Sequence, residues 1–320
     1  MPRIVQALGI LLGIVVALAC PAAAQDNRPV RLVVSFPPGG GVDAVARLFA
    51  DKMSALLGQP VVVENRGGAS GIIAGKQVAS AEPDGTSVLI ASNSMLVAQV
   101  MSPNVGLDIA RDLKALASAA PQAIIITSQP DLPADSLPEL IALAKTRRLN
   151  YGSPGAGSVP HLLGVYLFGS LAGVTLDHIP FPGAAQALTS LLGKQTDLAM
   201  VTLAPAVALI ADGKMKGIVV TTPERSAALP RVPTAAESGY PGFSVSVWTG
   251  FFVPARTPQP VADKLEGIIL KIANEPEIKA KLSQLGFEPT SIAGEQFQRD
   301  IAAEIKRWDD VVDKAGLKQK

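Results

Sequence analysis

Short β runs alternating with helical runs predict an α/β protein with largely parallel sheets, built as two lobes. Three observations carry this expectation. The alternation is resumed in the middle of the chain after a first full round. The length of 320 residues is about twice that of a common single domain. The last β run, Val245–Val253, is followed only by helical segments that have no sheet of their own nearby.

The elements follow in order. Arg31-Leu32-Val33-Val34-Ser35 reads as the first strand, and Phe36–Gly41 as a glycine-rich loop. Val42, Val45, Ala46, Phe49, Met53 and Leu56 then share one face of a helix that Gly58 ends. Val61–Val63 is a second strand, and Asn65–Gly71 turns into a helix over Ile72–Ala79. Pro83-Asp84-Gly85 is a turn and Ser87–Ala91 a third strand. The middle repeats the pattern: strand Ala123–Thr127, helix Leu137–Thr146, strand from Leu149, loop Ser153–Ser158, helix Pro160–Leu171. Strand Thr175–Ile179, helix Ala184–Leu192, and strands Asp197–Thr202 and Gly217–Thr221 complete it. Thr222–Gly242 reads as loop. Helices are expected at Val261–Ala273, Glu277–Leu285 and Glu295–Lys314, with Gly316 as the stop. The last presents Phe297, Ile301, Ile305, Trp308 and Val311 on one face.

The economical packing returns these helices to the first lobe. The first lobe is then 25–121 plus 246–320, and the second 122–245. Crossings near Ala123–Ser128 and Val245–Thr249 form the hinge. Trp248 is expected at that hinge, where closure would change its fluorescence, and Trp308 in the core.

Residues 1–24 read as an export signal: Arg3, an apolar run from Ala7 to Ala19, then Ala22-Ala23-Ala24 before Gln25. The run is shorter than the roughly 20 apolar residues of a membrane span. A lipoprotein signal ending at Cys20 is disfavoured by Ala17, where leucine is usual. Cleavage leaves no cysteine, so an exported, periplasmic chain would rely on its core rather than disulfides.

Composition excludes several classes. With 48% hydrophobic residues the chain is no disordered tract. Lys+Arg number 28 against 27 Asp+Glu, and loss of Arg3 brings the net charge to zero. No basic field exists for nucleic acid or an anionic membrane. One Cys and two His leave little for a metal, and no cofactor motif is present. No nucleophile elbow, zinc-binding HExxH or phosphate loop occurs, so an enzyme is not expected. His161 reads as a residue that orients a loop, and His178 as structural.

Polar, glycine-bearing loops following strands stand out instead. Ligands bind at such strand ends in open α/β sheets. Phe36–Asp43 leads into a helix whose free N–H groups suit an anion, with Asp43 as a plausible N-cap. Valine at Gly40 should abolish binding by blocking backbone approach or demanding a strained dihedral. Ser92-Asn93-Ser94 is a second polar cluster, and Ser153–Ser158 repeats the loop-before-helix device in the second lobe. The three loops hold no Arg or Lys, so an anion there is held by amides, hydroxyls and water.

Several stretches resemble the substrate-binding proteins of tripartite tricarboxylate transporters, the Bug family. They are Phe36–Arg47, Val62–Gly71, Pro83–Thr86, Tyr151–Ser158 with His161-Leu162, Arg231–Thr234 with Glu237–Gly239, and Trp248–Phe251 with Pro254. They are ordered along the whole mature chain. The resemblance implies a type II periplasmic-binding-protein fold, two lobes closing on a small organic acid, and a membrane permease with large and small subunits as partner. A monomer with no cofactor is expected. It places one carboxylate at Gly39, Gly40, Val42 and Asp43, and the other end of the ligand at Ser153, Gly157 and Ser158. Phe36, Ser92, Asn93, Ser128, His161, Phe181, Gly183, Ala184 and Thr202 complete the expected cleft. Two departures point to a less polar acid, aromatic or short aliphatic. Pro180-Phe181-Pro182-Gly183 stands where many members have Pro-Tyr-Lys-Gly, and Val165 where many have Glu. A ligand-presenting sensor is the alternative role, and an exported enzyme a more distant one.

Overall fold

The computed structural model describes residues 28–314 and 317–318. The expected leader, Cys20, the start at Gln25 and the stop at Gly316 lie outside the described residues. The first lobe opens with β1 (Val30–Val34), α1 (Gly41–Leu57), β2 (Val61–Asn65), α2 (Ile72–Ala79), β3 (Ser87–Ser92), α3 (Ser94–Met101) and a short α4 (Ile109–Asp112). β1 lies between β2 and β3, parallel to both. Its valines and leucine are buried, which suits a continuous apolar strand covered on both faces. α1 turns Val42, Val45, Phe49 and Met53 inward, and Gly58 stops it in the left-handed conformation at φ 71°. Leu56, expected on that face, is 38% exposed. Burying each large apolar side chain contributes about 1.5–3 kcal/mol.

β4 (Leu113–Ser128) is the backbone of the molecule. It pairs antiparallel with β9 (Ser246–Pro254) over Leu113–Ala123, then with β7 (Leu198–Thr202) over Ile124–Ser128. One strand therefore passes from one half of the sheet into the other. The sequence reading began this strand ten residues late, at Ala123. Pro121 and an alanine-rich run speak against a strand interior. The structure accommodates Pro121 at a break in register between Ala119 and Gln122, with Ala120 at φ 50°. Thr221 ties the crossings together. Its hydroxyl accepts the Ile124 N–H at 3.0 Å and donates to the Val245 carbonyl at 2.6 Å.

The second lobe adds α5 (Leu137–Thr146), β5 (Asn150–Ser153), α6 (Val159–Gly164, continuing as a π-helical stretch to Leu171) and β6 (Asp177–Pro180). α7 (Ala184–Leu192), β7, α8 (Val207–Ala211) and β8 (Lys216–Val220) follow. β5 is parallel to β6 and β7, while β7 and β8 run antiparallel to β4.

After β9 the chain returns to the first lobe as α9 (Gln259–Ala273), α10 (Pro276–Gln284), β10 (Ser291–Ala293) and α11 (Gly294–Lys314). The tail is thus not wholly helical, because β10 pairs with β4 at Ala117–Ala119. α9 and α10 bury Leu265, Ile269, Ile278 and Leu282 in one core with Phe49 and Phe251. α11 buries Phe297, Ile301 and Trp308 against Met95, Leu96 and Phe252. Its last apolar contact is the fully buried Val312, with Val311 only partly covered. Among the described residues no helix is long and apolar enough to cross a membrane.

Candidate functional site

The two lobes meet across a cleft that is closed. Ser70 Oγ of the first lobe donates to the Ala156 carbonyl of the second at 2.9 Å. Val159 N–H, at the start of α6, donates to Ser94 Oγ at 3.1 Å. Gly39, at φ 86°, lies so near α7 that a Cβ on it would stand 3.3 Å from that of Ala185. Only glycine meets both demands readily.

Between the lobes lies a small cavity of about 30 Å³. The loop after β1 and the start of α1 supply Phe36, Pro37, Gly40, Gly41 and Val42, and the β3–α3 junction supplies Ser92 and Ser94. Val247 comes from β9. The second lobe contributes Pro154, Pro160, Ala184 and Thr202. Among the described residues no charged side chain lines it.

Six of the sequence-predicted residues therefore share one cavity: Phe36, Gly40, Val42, Ser92, Ala184 and Thr202. Sequence reasoning missed Pro37, Gly41, Ser94, Pro154, Pro160 and Val247 as wall residues. Most are direct neighbours of residues it chose: Pro37 and Gly41, Ser94, and Pro154 lie inside the three loops it singled out, and Pro160 lies just beyond the third.

The start of α1 is arranged differently from the expectation. Gly40, not Asp43, stands at the N-cap, and no side chain caps the helix. The buried Asp43 lies within the first turn and turns its carboxylate aside. Oδ2 accepts Gly39 N–H and Arg47 Nε, each at 3.0 Å, and Oδ1 accepts Asn65 Nδ2 at 2.9 Å. Burial alone would raise the Asp43 pKa. The Arg47 guanidinium, the Gly39 amide and Asn65 outweigh it and hold the group below the usual carboxylate range. Gly40 itself has an extended backbone, φ −91°, and a Cβ there would meet nothing within 4 Å. The expected dihedral strain is absent, and a side chain would enter open space beside the cavity.

The loop after β5 holds itself together. Ser158 Oγ donates to Gly155 O at 2.7 Å, and Ser153 Oγ reaches the same carbonyl at 3.2 Å. Beneath it two imidazoles stack, His161 on His178, with ring centres 4.0 Å apart. His161 Nδ1 accepts Gly157 N–H at 3.2 Å, which leaves its own hydrogen on Nε2. His178 Nε2 lies 2.6 Å from Ser153 Oγ. Burial lowers both pKa values; for His178, burial and the neighbouring His161 bring it to about 3. Ser153, Gly157, Ser158 and His161 thus shape the loop from below, and only Pro154 and Pro160 of this region line the cavity.

The remaining expected residues have other places. Phe181 packs its ring on Gly152, and Gly183 sits against Pro37 at the lobe contact. Asn93 turns away from the cavity, toward Glu304 and Ser246. Ser128 does not join the site. It pairs with Leu198 at the far end of β7, whereas Thr202 at the cleft end pairs with Ile124. Four residues of strand separate the two levels by about 13 Å. Trp248 lies on β9 near the crossing, yet its indole donates to Glu304 and packs edge-on against Phe297 rather than facing the cleft.

Comparison with known proteins adds to this geometry. Residues 45–317 match the profile of the tripartite tricarboxylate transporter family receptor. The Bordetella pertussis protein BugT is 31% identical over 326 residues, spanning 100% of this chain and 99% of its own. The solved structure of the periplasmic binding protein BugD superposes with a TM-score of 0.87 at 35% identity, covering 92% of this chain and 99% of its own. R. palustris Rpa4515, solved with adipate, gives 0.86 at 32% identity, covering 91% and 98%. Two lobes joined by crossing strands around a closed cleft are the periplasmic binding protein fold, and the chain belongs to the receptor family of the tripartite tricarboxylate transporters.

Proposed function

We propose that this chain is a periplasmic solute-binding protein that closes its lobes on a small organic acid with one carboxylate and an apolar body. It then delivers the acid to a membrane permease of large and small subunits. Residues 1–24 are removed on export, and the lobes are 25–121 with 246–320, and 122–245.

One observation carries the ligand class: an uncapped helix start opens on a cavity that, among the described residues, has no charged side chain. α1 has 17 residues and no side chain satisfying its first amides. Such a terminus offers N–H donors and a partial positive charge to an anion. Asp43, the acid that could have blocked it, is engaged by Gly39, Arg47 and Asn65. A carboxylate at Gly40–Val42 is held by backbone, with Ser92, Ser94 and Thr202 hydroxyls in reach of ligand or water. Much of the remaining wall, from both lobes, favours a nonpolar remainder. Pro154 and Pro160 carry no N–H, and Phe36, Ala184 and Val247 are apolar. Rpa4515, of the same fold and 32% identical, was solved with adipate, which supports an organic acid.

A thermal-shift screen over about a hundred carboxylates tests the reading. An acid at 100 times its dissociation constant stabilises the protein by about 2.7 kcal/mol. Short aliphatic or aromatic acids should head the ranking. A screen in which sugars or amines stabilise the protein and no carboxylate does would overturn the reading.

A further inference from the structure

Asn93 breaks a local rule. It stands at the N-cap position of α3, where an asparagine normally accepts an N–H of the first turn. Here its side chain caps nothing. Its amide hydrogens go instead to the Ser246 carbonyl and to Glu304 Oε1, each at 3.0 Å. Both partners are acceptors, which fixes the orientation of the amide. Asn93 Oδ1 is left buried without a partner. A residue that gives up its local bond and leaves an acceptor unsatisfied marks a position held for another purpose.

Glu304, in the middle of α11, is 9% exposed. Besides Asn93, Oε1 accepts Trp308 Nε1 at 2.9 Å, and Oε2 accepts Trp248 Nε1 at 2.7 Å. Arg307 stands 3.6 Å away. Donors from the β3–α3 junction, from β9 and from α11 itself thus converge on one carboxylate. Bonds to an ionised acceptor are among the strongest a protein makes, and a shared network is stiffer than its parts. The first two elements have the cavity in common. Ser92 and Ser94 flank Asn93 and line it, and Val247 lies between Ser246 and Trp248 and lines it too. Ser94 also receives Val159 N–H from the opposite lobe.

We propose that Glu304 is a positioning residue for ligand capture. It touches no ligand. By holding Asn93 and Trp248 it fixes the Ser92–Ser94 wall and Val247, and sets Ser94 where Val159 meets it on closure. The proposal rests on the capture reading for its affinity consequence, but not for its structural one.

Glu304→Gln keeps the shape of the side chain and places an NH₂ group against an N–H donor, whichever way it turns. Ile301→Ala, one turn earlier on the same buried face, removes packing and leaves the polar network whole. Asn93→Ala cuts the link from the other end and serves if E304Q does not fold. Hexanoate and adipate are the calorimetric probes, with thermal unfolding and hydrogen exchange measured beside them. E304Q should lose about tenfold in affinity and exchange faster at 92–98 and 245–248. Ile301→Ala should lower Tm at least as much while keeping affinity within about twofold. Unchanged affinity and exchange in E304Q, or affinity losses that follow Tm alike in both variants, would overturn the proposal. If the wild-type protein binds neither acid, the aliphatic half of the ligand class proposed above is wrong. Exchange then decides: local acceleration in E304Q supports the positioning role, and unchanged protection overturns it.

Discussion

The loops after β1 and β5 look alike in sequence, glycine-rich and followed by a helix, yet the structure uses them differently. The first lines the cavity with five of its residues, and its helix start is uncapped. The second is a self-bonded turn resting on stacked histidines, and this region offers the cavity only two prolines. Their internal supports also differ in charge. Asp43 with Arg47 steadies the first; two neutral imidazoles steady the second. The same local pattern thus yields an anion-binding end and an apolar, closing end.

Substitution at Gly40 should give the largest effect. Gly40→Val puts a branched side chain into open space beside the cavity on a backbone that accepts it. Ligand affinity should fall by about 100-fold or more with Tm nearly unchanged. Calorimetry and thermal unfolding of the one variant check both halves. Gly41→Ala should behave differently, because its Cβ would stand 2.2 Å from the buried Gln122 Nε2. It should destabilise the fold by about 1–3 kcal/mol, and shrinking Gln122 to alanine in the double variant should recover part of that.

The Asp43 network comes next. Asp43→Ala strands the Gly39 amide and Asn65, and should cost about 2 kcal/mol in denaturant unfolding. Arg47→Gln, on the exposed side of the same pair, should cost less than about 1 kcal/mol.

Acid should separate the two loops. The His178 pKa is lowered from 6.5 to about 3 in the folded chain, so the unfolded chain binds the proton first. Its contribution is intact above about pH 6.5, erodes as pH falls, and levels off near 3. Asp43 has the same sign but acts in a lower pH window. Its lowered pKa favours folding above the unfolded value of 3.8, and that stabilisation is lost only as pH falls through the folded value. Between pH 6 and 4.5, hydrogen-exchange protection should therefore fall around 153–161 while 36–43 stays protected. His178→Gln should flatten the pH dependence of Tm in that window.

The smallest expected effect is optical. Trp248 and Trp308 donate to the same carboxylate, so neither reports alone. A ligand-induced fluorescence change should be modest, and Trp308→Phe should alter it as well as Trp248→Phe. This revises the expectation that the hinge indole carries most of the signal.

Much of the fold was legible because its elements obey simple periods. Helices Leu137–Thr146 and Ala184–Leu192 match the structure residue for residue. What escaped were features held by distant contacts. β4 continues through Pro121 because β9 and β10 clasp it. The short α8 and β10 lack enough residues to show a period. At the site, glycines and strand ends pointed to the right loops. They could not tell a wall from its support, since Pro154 lines the cavity while its neighbour Ser153 supports the loop on His178. Ser128 looked like a strand-end ligand until the register of β4 with β7 placed it at the wrong end. The role of Asn93 depends on Glu304, 211 residues away.

The central claim is that one carboxylate is bound by the start of α1 and the rest of the ligand by apolar walls. Calorimetric titration with hexanoate, adipate and tricarballylate tests it most directly, because the three share a carbon count and differ in carboxylate number. Hexanoate should bind at least as tightly as adipate, and tricarballylate at least about tenfold more weakly, since extra charges find no cation among the described residues that line the cavity. Tightest binding of tricarballylate would contradict it.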